Sequence, residues 1–429
     1  MHYDGVVAAN TTPSVLSFSA AISLVREHAA SLRFAYSRKT DVVGLAHALG
    51  RVLGRPILAD RDQPPFDRST RDGYACHSSD LQSGQPIPVI GQIRAGDPIE
   101  IPRVKLPQGQ AIEIMTGAPV PAGADHVVMF EHVDFDEGAN TIHLPAARAH
   151  SHPPHAGANI VHTGSEARRG DIILHAGTRL QPNHIAAAAA CGATLVHCYG
   201  PPRVSILASG DELVDIDTTP LAHQIRNSNS YSLAAQVSAS GGLPHRMPLV
   251  RDDPGSMQSA IRMAMDSDLI LLSGGVSMGK YDFAAESLAA LGAEFFFTGA
   301  LIQPGKPVIF GRLPHASGMK YFFALPGNPV STMVTFALFV HPLLCALAGD
   351  DNSVPRFALA QLGSRVKIKP GLTRFLPAIL SGGPNPEVHL VDWQGSGDLA
   401  NTATANCFLM VPPDRESLEE GDIVTILLN

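Results

Sequence analysis

The residues best suited to chemistry in this chain lie in one short stretch, Asp268 to Asp282, which reads D-L-I-L-L-S-G-G-V-S-M-G-K-Y-D. An apolar run, Leu269 to Leu272, breaks at Ser273-Gly274-Gly275 into a loop of small residues. That loop ends in a cation, Lys280, and an anion, Asp282. A strand, a glycine-rich loop and then a helix from Phe283 let backbone N–H groups approach a phosphate at a helix N-terminus. The spacing from Gly274 to Lys280 is that of a P-loop, G-x-x-x-x-G-K. Tyr281 then stands where a P-loop needs a Ser or Thr hydroxyl on Mg2+, so this is an anion cradle of another kind.

Two further apolar runs break in the same way. Val204 to Leu207 leads to Ser209-Gly210-Asp211-Glu212, and Tyr321 to Leu325 leads to Pro326-Gly327-Asn328-Pro329, followed by Val330 and Ser331. Ligands of an open parallel sheet sit outside the carboxyl ends of its strands. Any one of these loops alone reads as a turn; three on one edge favour a site. Gly275 and Gly327 let backbone amides reach an anion, Ser273, Ser277 and Ser331 add hydroxyl donors, and Lys280 and Lys306 add charge. Asp211, Glu212, Asp252, Asp253 and Asp282 are hard oxygen donors. Mg2+ is commonly held by one or two carboxylates plus substrate phosphates, so this mixture points to a metal-bound phosphoanhydride such as a nucleotide. The absence of a Walker A or G-x-G-x-x-G match argues against the commonest NTPase and dinucleotide sites.

These loops need a frame. Residues 203–347 alternate apolar runs with helical patterns, including helices over 254–265 and 330–347, which predicts a doubly wound, mostly parallel α/β sheet. Upstream, 62–145 is rich in Gly and Pro with short alternating runs, the pattern of a small β-domain. It carries polar clusters at Pro65 to Ala75, at Ile114 to Pro119 and at Phe130-Glu131-His132, each of which turn chemistry alone accounts for. Helices are expected over 17–33, 41–49 and 182–191. Residues 146–163 hold His150, His152, His155 and His162 beside Pro153-Pro154, a solvated loop rather than a metal site. Beyond Gly349 the chain returns to β patterning.

The totals narrow the classes. With 429 residues, the chain is long enough for about three domains. A net charge of −8 argues against a nucleic-acid face. Five cysteines at long spacings, with no C-x-x-C, read as buried free thiols in a reducing compartment. No Lys or Arg precedes Arg26, and the apolar run Phe336 to Leu347 is interrupted by His341-Pro342, so neither a secretory leader nor a membrane span is expected and the cytoplasm is the default.

Taken in order, six stretches resemble the molybdopterin molybdenumtransferase family, that of the molybdenum insertase MoeA and the gephyrin E domain. They are Phe66 to Ala75, Ile114 to Ala118, Ser209 to Leu213, Ser273 to Asp282, Pro304-Gly305-Lys306-Pro307 and Leu325 to Ser331. The resemblance covers nearly the whole chain. It implies an enzyme that takes adenylylated molybdopterin and molybdate and, with Mg2+, places molybdenum on the dithiolene and releases AMP. It implies an elongated homodimer with four domains per subunit: a discontinuous linker and dimerisation domain (13–60 and 146–200), a small β-domain (61–145), an α/β molybdopterin-binding domain (201–349) and a C-terminal β-barrel (350–429). It implies a site shared between the α/β domain of one subunit and the small β-domain of the other.

By position, Asp67, Thr116, Glu212 and Asp282 are the implied catalytic residues, and Asp252, Asp282 and Glu212 the metal ligands. Ser209, Gly210, Asp211, Ser273, Gly274, Gly275, Ser277, Lys306, Gly327, Asn328 and Ser331 are the implied cofactor-binding set. The family's G-R-x-E-F-x-R pattern reads Gly371-Leu372-Thr373-Arg374-Phe375-Leu376-Pro377 here, without both arginines in place. The implied molybdate donors are then Pro304, Arg374 and Ser396. Expected partners are a second subunit, and transiently the molybdopterin adenylyltransferase and acceptor molybdoenzymes, with no nucleic acid and no membrane. Two alternatives remain at this level: a molybdopterin adenylyltransferase, which shares the S-G-G-V-S loop but does not need the flanking β-domains, and a non-enzymatic scaffold of the gephyrin type.

Overall fold

The computed structural model describes residues 14–35, 39–97, 105–275, 283–352 and 354–428. Its centre is a six-stranded sheet, in spatial order Leu243–Arg246, Arg203–Ala208, Leu269–Ser273, Lys320–Leu325, Ile309–Leu313 and Glu294–Phe297. The first four run parallel. The last two, expected only as extended runs, form an antiparallel edge. All five residues of Leu269–Ser273 are buried, as a strand covered on both faces requires. Its side chains alternate between two cores. Leu269 and Leu271 pack with Val204, Ile206 and Phe323 beneath one helical layer, whereas Ile270 and Leu272 pack with Met257, Ile261 and Leu288 beneath the other. Truncating Leu271 to Ala would cost about 2–5 kcal/mol.

Ala208, Ser273 and Leu325 share one level in the ladder. The loops that begin at Ser209, Gly274 and Pro326 therefore leave the sheet side by side. A bridge between Ser209 and Val250 brings Arg251 and Asp252 to the same edge. The helical run Pro329–Leu347 follows the third loop. It is long and apolar enough to cross a membrane by length and composition, yet it lies mostly buried as the central core helix. A π turn over Phe336–Val340 precedes Pro342. Proline lacks an N–H and its ring crowds the carbonyl four residues back, so a wider turn there relieves the clash.

The first helix, Phe18–Ala35, buries Ala21, Val25, Ala29 and Leu32 at helical spacing in the α/β core. The expected helix at 41–49 is not formed. Thr40–Gly44 is a strand paired antiparallel with Leu195–Tyr199, followed by a 3-10 turn at Leu45–His47. Val42 and Val43 are β-branched, and the partner strand supplies hydrogen bonds that override a weak helical pattern. The chain returns along its own path twice more, pairing Ile57–Leu58 with Ile172–Leu174 and Arg68–Ser69 with Ile160–Val161. Between these lies a second six-stranded sheet formed by strands from Gly73 to His143.

Five C-terminal strands close into a barrel. Thr373–Leu380 pairs with Glu387–Leu390, then Phe357–Leu362, Ile423–Leu428 and Cys407–Val411, which pairs back with Thr373–Leu380. Strand Ile302–Gln303, from the α/β part, adds in parallel to Thr373–Leu380. Phe375, Phe408 and Leu427 reach from the barrel into the α/β core. A polar joint ties the other side. Arg179 bonds Asp350 Oδ2 at 2.6 Å, Gly50 O at 2.9 Å and Ser240 O at 3.1 Å. Ser240 Oγ lies 2.9 Å from His341 Nδ1. Burial, with the nearby charges of Arg179 and Arg356, lowers the His341 pKa to about 4.

Candidate functional site

A cavity of about 1210 Å3 opens at the carboxyl edge of the parallel strands. Its polar lining comes from the strand-end loops at Ser209, Gly274 and Gly327, from Asp252, from Asn227 to Asn229 and from the 303–307 turn. Gly274 has φ +92, and a Cβ there would meet Ser209 O at 2.3 Å, so only glycine allows the two loops to touch. Pro329–Thr335, the first segment of the core helix, starts at Asn328, which has extended backbone angles and makes no side-chain cap. A helix end of this kind favours a negatively charged group.

The hydrogen bonds at this edge are partly closed and partly open. Asn229 Nδ2 donates to Ser273 Oγ at 2.9 Å and to Gly327 O at 2.7 Å, pinning two of the loops together. The backbone N–H groups of Asp211 and Asp252 donate to each other's carboxylates at 3.4 Å. Asn328 Nδ2 donates to Ser396 Oγ at 2.9 Å, and Val330 N to Ser396 O at 3.0 Å, which fastens a barrel loop to the helix start. By contrast, Ser209 Oγ, Asn229 Oδ1 and Asp252 Oδ1 are buried and have no hydrogen-bond partner among the described residues. Each such atom forfeits about 1–3 kcal/mol of solvation until something binds it. Their residues line one cavity with Lys306 and Glu212, and carboxylates beside a cation suit a ligand that brings both negative charge and a cation. Among the described residues there is no group of three or more His, Cys, Asp or Glu side chains that could hold a metal by themselves. A divalent ion here would lean on the ligand's own oxygens, which is the habit of Mg2+.

Most of the expected site residues converge on this cavity: Ser209, Gly210, Glu212, Asp252, Ser273, Gly274, Gly275, Pro304, Lys306, Gly327, Asn328, Ser331 and Ser396. Asp211 sits beside it through its bond to Asp252. Arg374 does not line it. Its guanidinium donates to Gln303 Oε1 and to Lys369 O, so its charge is turned to the seam between barrel and α/β sheet. Ser277 and Asp282, with Lys280 and Tyr281, lie outside the described residues. Asn229 and Trp393 line the cavity without having been expected. Asn227-Ser228-Asn229 carried a signal in the sequence, a polar cluster just before a helical run in the α/β part, but its bonds run to distant loops.

Asp67 and Thr116 lie elsewhere, in the part of the chain that carries the second sheet. Asp67 Oδ1 accepts from Thr163 N and Thr163 Oγ1, both at 2.8 Å, and Oδ2 lies 3.1 Å from His162 Nδ1. Partial burial acts to raise this carboxyl, but the bonds from Thr163 and His162 outweigh it and hold the pKa below the ordinary value. The histidine-rich segment thus delivers a partner to a candidate carboxylate. Thr116 is exposed, and its N–H donates to Asp72 Oδ1 at 2.6 Å, lowering the Asp72 pKa.

Three family models match in succession: the MoeA N-terminal region (domain I and II) over 16–192, a probable molybdopterin binding domain over 205–346 and the MoeA C-terminal region (domain IV) over 360–428. The chain belongs to the MoeA family. Its relatives include the molybdopterin molybdenumtransferase of Haemophilus influenzae, 32% identical over 91% of this chain and 94% of that one. That of Synechococcus elongatus is 32% identical over 96% and 99%. The solved molybdopterin biosynthesis MoeA protein of Pyrococcus horikosii is 30% identical, covers 97% of this chain and 99% of its own, and superposes with a TM-score of 0.70. The MoeA-type architecture accounts for the order of parts seen here, and the probable molybdopterin binding domain carries most of the cavity's polar lining.

Proposed function

We propose that this chain is a molybdopterin molybdenumtransferase acting in molybdenum cofactor biosynthesis. Its substrates are adenylylated molybdopterin and molybdate, and its products are molybdenum cofactor and AMP. The observation that carries the reading is the cavity at the sheet edge, whose lining brings Ser209, Asn229, Ser273 and Asp252 together with Lys306 and Glu212. In this reading the Gly274–Gly275 turn and the start of the Pro329–Leu347 helix hold the phosphate end of the adenylate. Lys306 offsets its charge. Ser396, Pro304 and Ser331 approach the oxyanion, with Arg374 acting on it only through Gln303.

Asp252 and Glu212, carboxylates that both line the cavity, would hold Mg2+. When bound, the ion polarises the phosphoanhydride and draws the charge that develops on the leaving AMP. Asp67 and Thr116 do not reach this cavity within one chain. We assign them to the site of a second subunit, whose small β-domain would bring a carboxylate already held in its ionised form. The division of the chain at 13–60 with 146–200, 61–145, 201–349 and 350–429 belongs to the same proposal. The test is a direct assay. Purified protein with adenylylated molybdopterin, molybdate and Mg2+ should release AMP and form active cofactor, and chelation of Mg2+ should stop it. Synthesis of the adenylate from ATP and molybdopterin would overturn the reading in favour of an adenylyltransferase.

A further inference from the structure

The cavity has an apolar part that the phosphate and oxyanion chemistry does not use. It is built by Ile302, Leu372, Trp393 and Leu399, three of which come from the C-terminal barrel. Among the described residues that line the cavity, Trp393 is the only aromatic. It packs against the α/β core and is only partly buried. The chain around it is held at both ends. Val391 N donates to Pro377 O at 3.0 Å, and Gln394 N to Asp398 Oδ2 at 2.9 Å. Two residues on, Ser396 is fastened to the start of the core helix. A large ring held this firmly loses little conformational freedom when a ligand meets it.

We propose that Trp393 is a specificity-determining residue, which presents a flat apolar face to a planar heterocycle of the substrate. This rests on reading the cavity as the substrate site. An adenylylated pterin carries two such rings, and the polar lining answers only its charged parts. Aromatic stacking on a heterocyclic base is sequence-tolerant and substantial, because every such ring has a π-face. The barrel then does more than fasten a loop: it selects for ligands with a flat ring beside the anion.

Trp393 is the sole tryptophan of the chain, so indole emission reports on this wall alone. The probes are AMP, which carries adenine, and 6-hydroxymethylpterin, which carries the pterin. Each is titrated into the full-length protein by fluorescence and, independently of the indole, by calorimetry. The ring that stacks should quench the emission, and its affinity should fall about tenfold in Trp393→Ala and recover in Trp393→Phe, the range that ring stacking spans. Which probe responds identifies the ring. Unchanged affinity of both probes in Trp393→Ala, with a wild-type melting curve, overturns the proposal. Should Trp393→Ala fail to fold, Trp393→Leu replaces it, with the same tenfold loss expected and unchanged affinity again overturning the proposal. A Gly275→Val control separates the two levels. Its Cβ would crowd Ser209 Oγ at 3.1 Å in a backbone with φ +66. If probes bind the wild type but Gly275→Val binds them equally well, they sit elsewhere and the cavity reading falls, taking the stacking proposal with it. If Gly275→Val abolishes binding and Trp393→Ala does not, only the stacking proposal falls.

Discussion

At the sheet edge Asp252 keeps one carboxylate oxygen buried without a partner among the described residues, and Ser209 keeps its hydroxyl in the same state. In the region of the second sheet, both oxygens of Asp67 are already engaged by Thr163 and His162, although the side chain is 43% exposed. The two carboxylates are of one chemical type and serve opposite arrangements. The first has one oxygen in a long bond from Asp211 N and the other buried with no bond among the described residues, so its lost solvation is only partly replaced. The second is satisfied in the single chain and kept ionised by its neighbours. Any ligand that uses Asp67 must come to its solvent side, where a second subunit would also have to sit.

The largest expected effect breaks the open half. Asp252→Ala should lower kcat/KM for AMP release by roughly a hundredfold or more, the scale of removing one preorganised electrostatic group. Its melting temperature should hold or rise, because a buried unpaired oxygen is gone. A fallen melting temperature with unchanged kinetics would make Asp252 a structural residue and remove the contrast.

Acid should weaken the frame of the open half before it touches Asp67. The His341 pKa is about 4 in the folded chain, below its unfolded value of 6.5. The unfolded chain therefore binds the proton first, and stability is lost as pH falls from about 6.5 toward 4. The loss is on the order of 3 kcal/mol. Melting curves across that window should show the decline, and His341→Asn should flatten it. Asp67, with a pKa below the ordinary carboxyl value, stays ionised through the same interval.

Asp67→Asn addresses the closed half. Activity should fall about tenfold or more, within the range typical of a lost catalytic proton-transfer group, with little change in the melting curve. Mixing Asp67→Asn with Asp252→Ala after unfolding and refolding should restore about a quarter of wild-type activity, since half the dimers are mixed and each of those has one intact site. No recovery on mixing would place both residues in the same subunit's site.

The smallest effect is expected at Thr163. Thr163→Ala removes one of the two bonds to Asp67 Oδ1, that of the hydroxyl, and leaves the backbone N–H in place. The Asp67 pKa should move up toward its ordinary value, carrying the acid limb of the pH–activity profile upward with it, and stability should drop by about 1 kcal/mol. An acid limb that does not move would detach Asp67 from the rate.

Much of the frame was legible from local pattern. The run Leu269 to Leu272, flanked by helical stretches, announces a strand buried on both faces, and Pro182–Ala190 appears where proline at the start and Gly192 after the end place it. The strand-end loops were recognisable from their glycines and small polar residues, and most of the cavity's polar lining follows from them. Thr40–Gly44 was misread because a helix period and a strand can look alike over few residues, and the deciding partner, Leu195–Tyr199, lies far along the chain.

Turn chemistry and hydrophobic period act between near neighbours, so the chain's own order was enough to specify the parallel strands of the central sheet, the three glycine loops and the edge on which they meet. The folded structure alone decided which oxygens stay unpartnered, that Asn229 joins the Ser273 and Gly327 loops, that Arg374 turns to Gln303, and that Trp393 is brought from the barrel to the cavity. These depend on where distant segments return in space, and a hydrogen bond or a shared wall exists only once both sides have arrived.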